Sequence, residues 1–282
     1  MPELPEVEST ARSLRRLLPG KVIASVEVRQ ATSVRTHTVG AFARLLTGKH
    51  LQSVSRRGKT LLLMLSEGWA LLVHFKLWGI VRFWRAAGVP DAQTAVVITF
   101  TDGSSLEFRE LQLSELGLHR TEDLARLKYL ASLGVEPLSR AFTKSFFRAL
   151  LAGRGNIRGL LTDQSRIAGI GNLWAHEILH AARIRPDRQV SALTPVEAGR
   201  LYRTIRRVLQ RAIAAGGEPE FVDPRGRMGR WRLAVYGRGG QPCPRRDGTI
   251  RAVRLGGRPS FYCPTCQRQT ALAAAELSCY TD

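Results

Sequence analysis

Acids are scarce in this chain: 23 Asp and Glu stand against 43 Lys and Arg in 282 residues, a formal net charge of +20. Such a field repels cations and draws polyanions, and the arginines that make up most of the basic side suit phosphate, because a planar guanidinium donates two parallel hydrogen bonds. Nucleic acid is therefore the expected partner. Long apolar runs are also missing. No stretch approaches the ~20 apolar residues of a membrane span, so no membrane association is expected. The N terminus lacks the apolar core of a secretory signal and is too acidic for a transit peptide, so it is expected to be mature sequence of a cytoplasmic protein. Internal repeats and low-complexity tracts are absent. Cysteine is rare, and its four copies, Cys243, Cys263, Cys266 and Cys279, all fall in the last 40 residues. The length suffices for two domains, each with its own core.

The opening MPELPEVES reads partly as a helix entry. Pro5 suits the first turn, Glu6 and Glu8 complement the positive end of the dipole, and Val7, Ala11, Leu14 and Leu18 follow at helical spacing. Pro2 and Glu3 lie ahead of that helix and need another account. If Met1 is removed, Pro2 becomes a free secondary amine beside a carboxylate. An α-amine with a pKa of about 8 is partly unprotonated near neutral pH and can attack an aldehyde-like carbon.

Further along, short apolar runs at 22–28, 60–66, 69–75, 80–84, 95–100 and 105–109 are separated by turn signals such as TDG, the pattern of an antiparallel sandwich or barrel. From about residue 121 the period becomes helical, ending in the long TPVEAGRLYRTIRRVLQRAIAAGG. These shifts predict an α+β chain: a β-sandwich domain with a leading helix over 1–131, a linker at 132–139, a helical domain at 140–237 and a Gly- and Cys-bearing hairpin at 238–282.

Three local features carry chemistry. Lys59, in RRGKTLLL, stands at the turn entering a strand. In IAGIGNLWAHEIL, two glycines precede Asn172, an N-cap candidate whose flanking backbone N–H groups can approach a phosphate. In CPRRDGTIRAVRLGGRPSFYCPTC, two ribbon strands carry a Cys at one end and CPTC at the other.

Together MPELPEVE, RRGK, LGVEPLS, GIGN, VYGRGGQPC and GRPSFYCPTCQ resemble, in order and over nearly the whole chain, the formamidopyrimidine-DNA glycosylase and endonuclease VIII family. The resemblance implies an N-terminal β-sandwich, a helix–two-turn–helix domain and a C-terminal zinc-finger hairpin. It also implies a monomeric, bacterial-type enzyme that removes oxidised bases from damaged DNA and then cuts the strand at the abasic site by β,δ-elimination. On that pattern Pro2 is the nucleophile that forms a Schiff base, Glu3 the general acid/base and Glu6 a supporting carboxylate. Lys59 acts at the lesion, Leu77 is the plug that enters the duplex, and Asn172 and Arg258 grip phosphates. The alternative is a catalytically inactive binder of abasic or distorted DNA.

Two departures qualify the pattern. The oxidised-purine branch carries an Asp-Pro-Arg-Arg-Phe loop where this chain, aligned by Gly117, has Gln112, Leu113, Ser114, Glu115 and Leu116. The loop lacks a cation for an orphaned cytosine, which shifts the expected substrates toward oxidised pyrimidines or lesions in open DNA. In the finger, Arg246 takes the second position of the first CxxC pair and cannot ligate zinc. Cys243, Cys263 and Cys266 then need a fourth ligand for a closed Zn²⁺ site. Cys279 is the preferred candidate and Asp247 its rival.

Overall fold

The computed structural model describes residues 2–76, 79–86, 88–110 and 115–268. The chain divides into two compact units, residues 1–132 with 212–231, and residues 133–211 with 232–282.

In the first unit, helix α1 (Leu4–Leu14) leads into β1 (Ile23–Val28), α2 (Val39–Leu46), β2 (Leu51–Arg57), β3 (Thr60–Leu65), β4 (Trp69–His74), β5 (Ile80–Trp84), β6 (Thr94–Phe100), β7 (Ser105–Arg109), β8 (Glu115–Arg120) and the short α3 (Lys128–Ala131). Two four-stranded antiparallel sheets form, ordered β1-β6-β7-β5 and β2-β3-β4-β8. Alternation decides their facing sides. Leu61, Leu63 and Leu65 of β3 and Leu71 and Val73 of β4 meet Val96, Ile98, Leu106 and Phe108 from the other sheet in one core, which also receives Val7, Ala11 and Leu14 of α1. This is the expected sandwich. The opposite side of the second sheet carries Leu62 and Leu72, packed against Leu124, Leu127 and Leu130. The helical pattern that begins at 121 thus belongs, for its first turns, to the sandwich unit.

The second unit holds α4 (Lys144–Leu150), α5 (Ile157–Thr162), α6 (Asn172–Ala182), most of α7 (Pro195–Ala214) and a hairpin of β9 (Arg251–Leu255) with β10 (Arg258–Tyr262). A capping box starts α7: the Thr194 N–H donates to Glu197 (2.9 Å), and the Glu197 N–H donates to the Thr194 hydroxyl (3.2 Å). The hairpin turns on Gly256 and Gly257, whose φ values of +52° and +74° suit a two-residue turn with both centres left-handed. Among the described residues, no helix is long and apolar enough to cross a membrane. Leu77 and Cys279 lie outside the described residues.

Candidate active site and nucleic-acid interface

Glu3 is the N-cap of α1 and is 2% exposed. Its N–H donates to Glu6 Oε2 at 2.9 Å, completing a capping box with the Glu3 side chain. The other Glu6 oxygen accepts the N–H of Glu218 at 3.1 Å. That approach requires glycine at 217. Gly217 has φ +95°, and a Cβ there would lie 2.8 Å from Glu6 Oε1. The segment after α7 therefore locks the carboxylate that closes the capping box of α1. Burial, with the nearby Glu220 and Glu3 carboxylates, raises the pKa of Glu218. Sequence reading missed Glu218 because it stands 212 residues from Glu6; the GG pair ahead of it was the available signal. Pro2 is partly buried and precedes this cluster directly.

Lys59 sits, half-buried, in the two-residue turn joining β2 to β3. Arg56 donates to the Gly58 carbonyl at 2.7 Å and to Glu8 of α1 at 3.1 Å, which ties the lysine-bearing turn to the first helix. Burial would raise the Glu8 pKa, but Arg15, Arg56 and Arg12 outweigh it and hold the carboxyl ionised. Beside Lys59, burial pushes His74 down to about 4, so the ring is neutral at pH 7. Its Nδ1 and the hydroxyl of its cross-strand partner Thr60 are buried without a hydrogen-bond partner among the described residues. Both line a cleft of about 400 Å³ together with Arg35, Lys76, Lys128 and Tyr129. Three cations around two unsatisfied polar atoms make a surface suited to a nucleic-acid backbone. His74 and the cleft had no sequence signal beyond the alternation of β4.

At the edge of this cleft Lys76 pairs with Glu115. The structure corrects the reading of Glu115 and Leu116 as loop residues. Both open β8, and Leu116 is fully buried in the core, so it is not available to a duplex.

In the second unit, Gly171 rather than Asn172 is the N-cap of α6 and Asn172 is the first helical residue, so the helix begins one position earlier than expected. Asn172 Oδ1 accepts from Arg158 at 3.2 Å, and its Nδ2 donates to the Pro259 carbonyl at 3.3 Å. Arg158 also donates to the Leu255 carbonyl at 2.7 Å. Buried His176 bridges the Asn172 carbonyl (2.5 Å) and the Ser260 hydroxyl (2.7 Å), and burial lowers its pKa to about 4. Asn172 and the hairpin that begins β10 with exposed Arg258 are thus held as one polar assembly, with Arg158 and His176 the members that sequence reading missed.

The three described cysteines also converge. Cys243, Asp247, Cys263 and Cys266 place their ligand atoms within 4.8 Å of one another. Arg246 adopts φ +58° and is exposed, so the chain loops out by one residue and brings the Asp247 carboxylate to the thiols. Burial raises the Cys243 thiol to about 11, while the hydrogen bond from Cys243 lowers the Asp247 pKa. Three sulfurs and one oxygen at this spacing fit a closed tetrahedral zinc site, in which the metal deprotonates the thiols. His180 Nε2 lies 3.4 Å from Cys243 Sγ and is 4% exposed, a neighbour that orients the ligand.

Comparison with known proteins agrees with this geometry. The formamidopyrimidine-DNA glycosylase N-terminal domain matches residues 1–113, the formamidopyrimidine-DNA glycosylase H2TH domain matches 133–221, and a zinc finger found in FPG and IleRS matches 240–269. A formamidopyrimidine-DNA glycosylase of Pelotomaculum thermopropionicum is 42% identical over 274 residues, covering 95% of this chain and 99% of that protein. Among solved structures, Lactococcus lactis Fpg in complex with abasic-site DNA is similar at 28% identity and a TM-score of 0.87, over 95% of this chain and 100% of that one. The same protein in complex with DNA containing an oxidised pyrimidine is similar at 29% identity and a TM-score of 0.86, with the same coverage. With a relative this similar along almost its whole length, the chain belongs to the formamidopyrimidine-DNA glycosylase family.

Proposed function

We propose that the protein is a DNA glycosylase of base excision repair that also cleaves the strand at the abasic site it makes. The observation that carries this reading is the Glu3–Glu6–Glu218 cluster built around the residue that follows Met1. Once Met1 is removed, the Pro2 amine attacks the sugar C1′ of the damaged nucleotide. The glycosidic bond breaks, its electron pair leaves with the base, and a proton supplied through Glu3 accompanies the departure. Loss of the Pro2 N–H proton and cleavage of the C1′–O4′ bond, with O4′ leaving as a hydroxyl, then open the sugar ring and turn the C1′–N bond into an iminium, which acts as an electron sink. Loss of a proton at C2′ then expels the 3′ phosphate, a second elimination expels the 5′ phosphate, and water releases Pro2. Glu6, fixed at both oxygens, orients the helix end that presents Glu3. Lys59 contacts the lesion nucleotide, Leu77 fills the space the base vacates, and Asn172 and Arg258 hold flanking phosphates. Oxidised pyrimidines are the preferred substrates, since residues 111–114 supply no cation to the opposite base.

Cys243, Cys263, Cys266 and Asp247 would hold a zinc ion without Cys279. Bound zinc supplies rigidity and no reaction step: it fixes the hairpin so that Arg258 meets its phosphate.

Borohydride added during reaction with an abasic-site duplex is expected to reduce the iminium and leave DNA attached at residue 2, located by peptide mass. A Met-processed preparation that binds the duplex but yields no adduct identifies the inactive binder instead. Glu3→Gln is expected to slow base removal more than cleavage of a preformed abasic site.

A further inference from the structure

A second cleft in the first unit, of about 430 Å³, opens between α1 and the segment after α7. Arg12, Ser13 and Arg16 line it from the first side, and Arg225, Arg227 and Arg230 from the second. Two of the guanidiniums are partly neutralised, Arg12 by Glu8 at 3.1 Å and Arg227 by Asp223 at 2.7 Å. Among the described residues no carboxylate pairs with Arg16, Arg225 or Arg230. Ser13 is 6% exposed, yet its hydroxyl has no hydrogen-bond partner among the described residues. A buried hydroxyl left unsatisfied is destabilising, and guanidiniums of like charge around one cleft repel. A single kind of occupant relieves both: a multivalent oxyanion, which accepts from the forks and from the serine.

We infer that this cleft binds a phosphate group, as a dianion or a polyphosphate, through Arg16, Arg225, Arg230 and the Ser13 hydroxyl. The site is separate from every residue assigned above to DNA chemistry. Its occupant bridges α1 to the 225–230 segment. That segment is continuous with Glu218, whose N–H holds Glu6, so occupancy braces the catalytic helix end from behind.

The test uses the full chain, melted at constant ionic strength in sodium chloride with increasing pyrophosphate. The wild type and a control, Arg85→Ala/Arg148→Ala, which removes two exposed arginines elsewhere, are expected to show a saturable rise in Tm. In Arg16→Ala/Arg230→Ala the apparent affinity is expected to fall about a hundredfold, a factor of about ten for each charged donor pair lost. Both arginines are exposed, so the variant is expected to fold. Ser13→Ala, which removes only the hydroxyl, is expected to weaken pyrophosphate binding as well. A rise that never saturates, or one that is equal in the arginine pair variant and the control, overturns the site. An undamaged duplex that displaces pyrophosphate from the wild type identifies a DNA backbone phosphate as the occupant, and a duplex that leaves the pyrophosphate effect unchanged identifies a free phosphate compound. Either of those results upholds the site.

Discussion

Glu6 joins two stretches 212 residues apart through one carboxylate, and Gly217 is the residue that permits it. Gly217→Ala combines a left-handed backbone with a clash on Glu6, so a loss of about 1–3 kcal/mol is expected in chemical unfolding. Base excision should fall with it, whereas Gly20→Ala, which has a similar φ and open space around it, should cost stability alone. His74 and His176 set a pH dependence of the same sign as paired carboxylates, but over a higher pH range. Each is buried neutral with a folded pKa near 4, below the ordinary 6.5. The unfolded chain therefore takes up protons that the folded chain refuses as pH falls. The stability these residues contribute is fully present above pH 6.5 and is lost as the pH falls toward 4. At pH 5 the loss is at most about 2 kcal/mol for each ring. Urea unfolding at pH 7 and pH 5 measures it, and His74→Phe should remove the share of the first unit.

The zinc hairpin is the element whose fourth ligand the sequence pattern leaves open between Cys279 and Asp247. Reading by CxxC spacing puts Arg246 at the ligand position, because a residue that loops out in the left-handed region leaves no mark in the spacing itself. The fold brings the Asp247 carboxylate to the three thiols, which is what makes it the proposed fourth ligand. Asp247→Ala is expected to lower zinc retention in purified protein, while Cys279→Ser retains one equivalent; loss of zinc only in Cys279→Ser would reverse the assignment. Cobalt in place of zinc gives a second readout, since a three-thiolate site has weaker sulfur charge-transfer absorption than a four-thiolate one. Other elements were legible to differing degrees. Runs such as TLLLML and AVVITF announced β3 and β6 by composition alone. In β2, the register shift between Leu51 and Ser53 breaks the alternation, and its polar Gln52 and Ser53 face solvent, so the strand was hidden. Helix α2 is only eight residues long and lies among turn-forming residues. The 212–231 segment was unreadable as part of the first unit because the helical period of α7 runs across the boundary without a break.

For the whole molecule, a net charge of +20 makes DNA affinity a function of salt before it is a function of sequence. Each phosphate neutralised by a cation releases counterions, so the logarithm of affinity falls with the logarithm of salt at a slope of about 0.9 per contact. Asn172 and Arg258 belong to one assembly, Asn172 donating to the carbonyl of the residue next to Arg258, but only Arg258 carries charge. The two should therefore separate. Asn172→Ala is expected to weaken binding to any duplex, damaged or not, with the salt slope unchanged, because a neutral donor displaces no counterion. Arg258→Ala is expected to weaken binding by a similar amount and to flatten the slope by about 0.9. Neither should change the ranking of lesions, since phosphate contacts position the protein without reading bases. Titrations of wild type and both variants on one lesion duplex and its undamaged counterpart, from low to physiological salt, contain the whole test. A flattened slope in Asn172→Ala would mean that losing the amide releases the hairpin and Arg258 with it. In that case Arg158→Ala, which removes the partner of Asn172 on the other side and the anchor of the β9 end, should flatten the slope as well, because it too releases Arg258 from its phosphate.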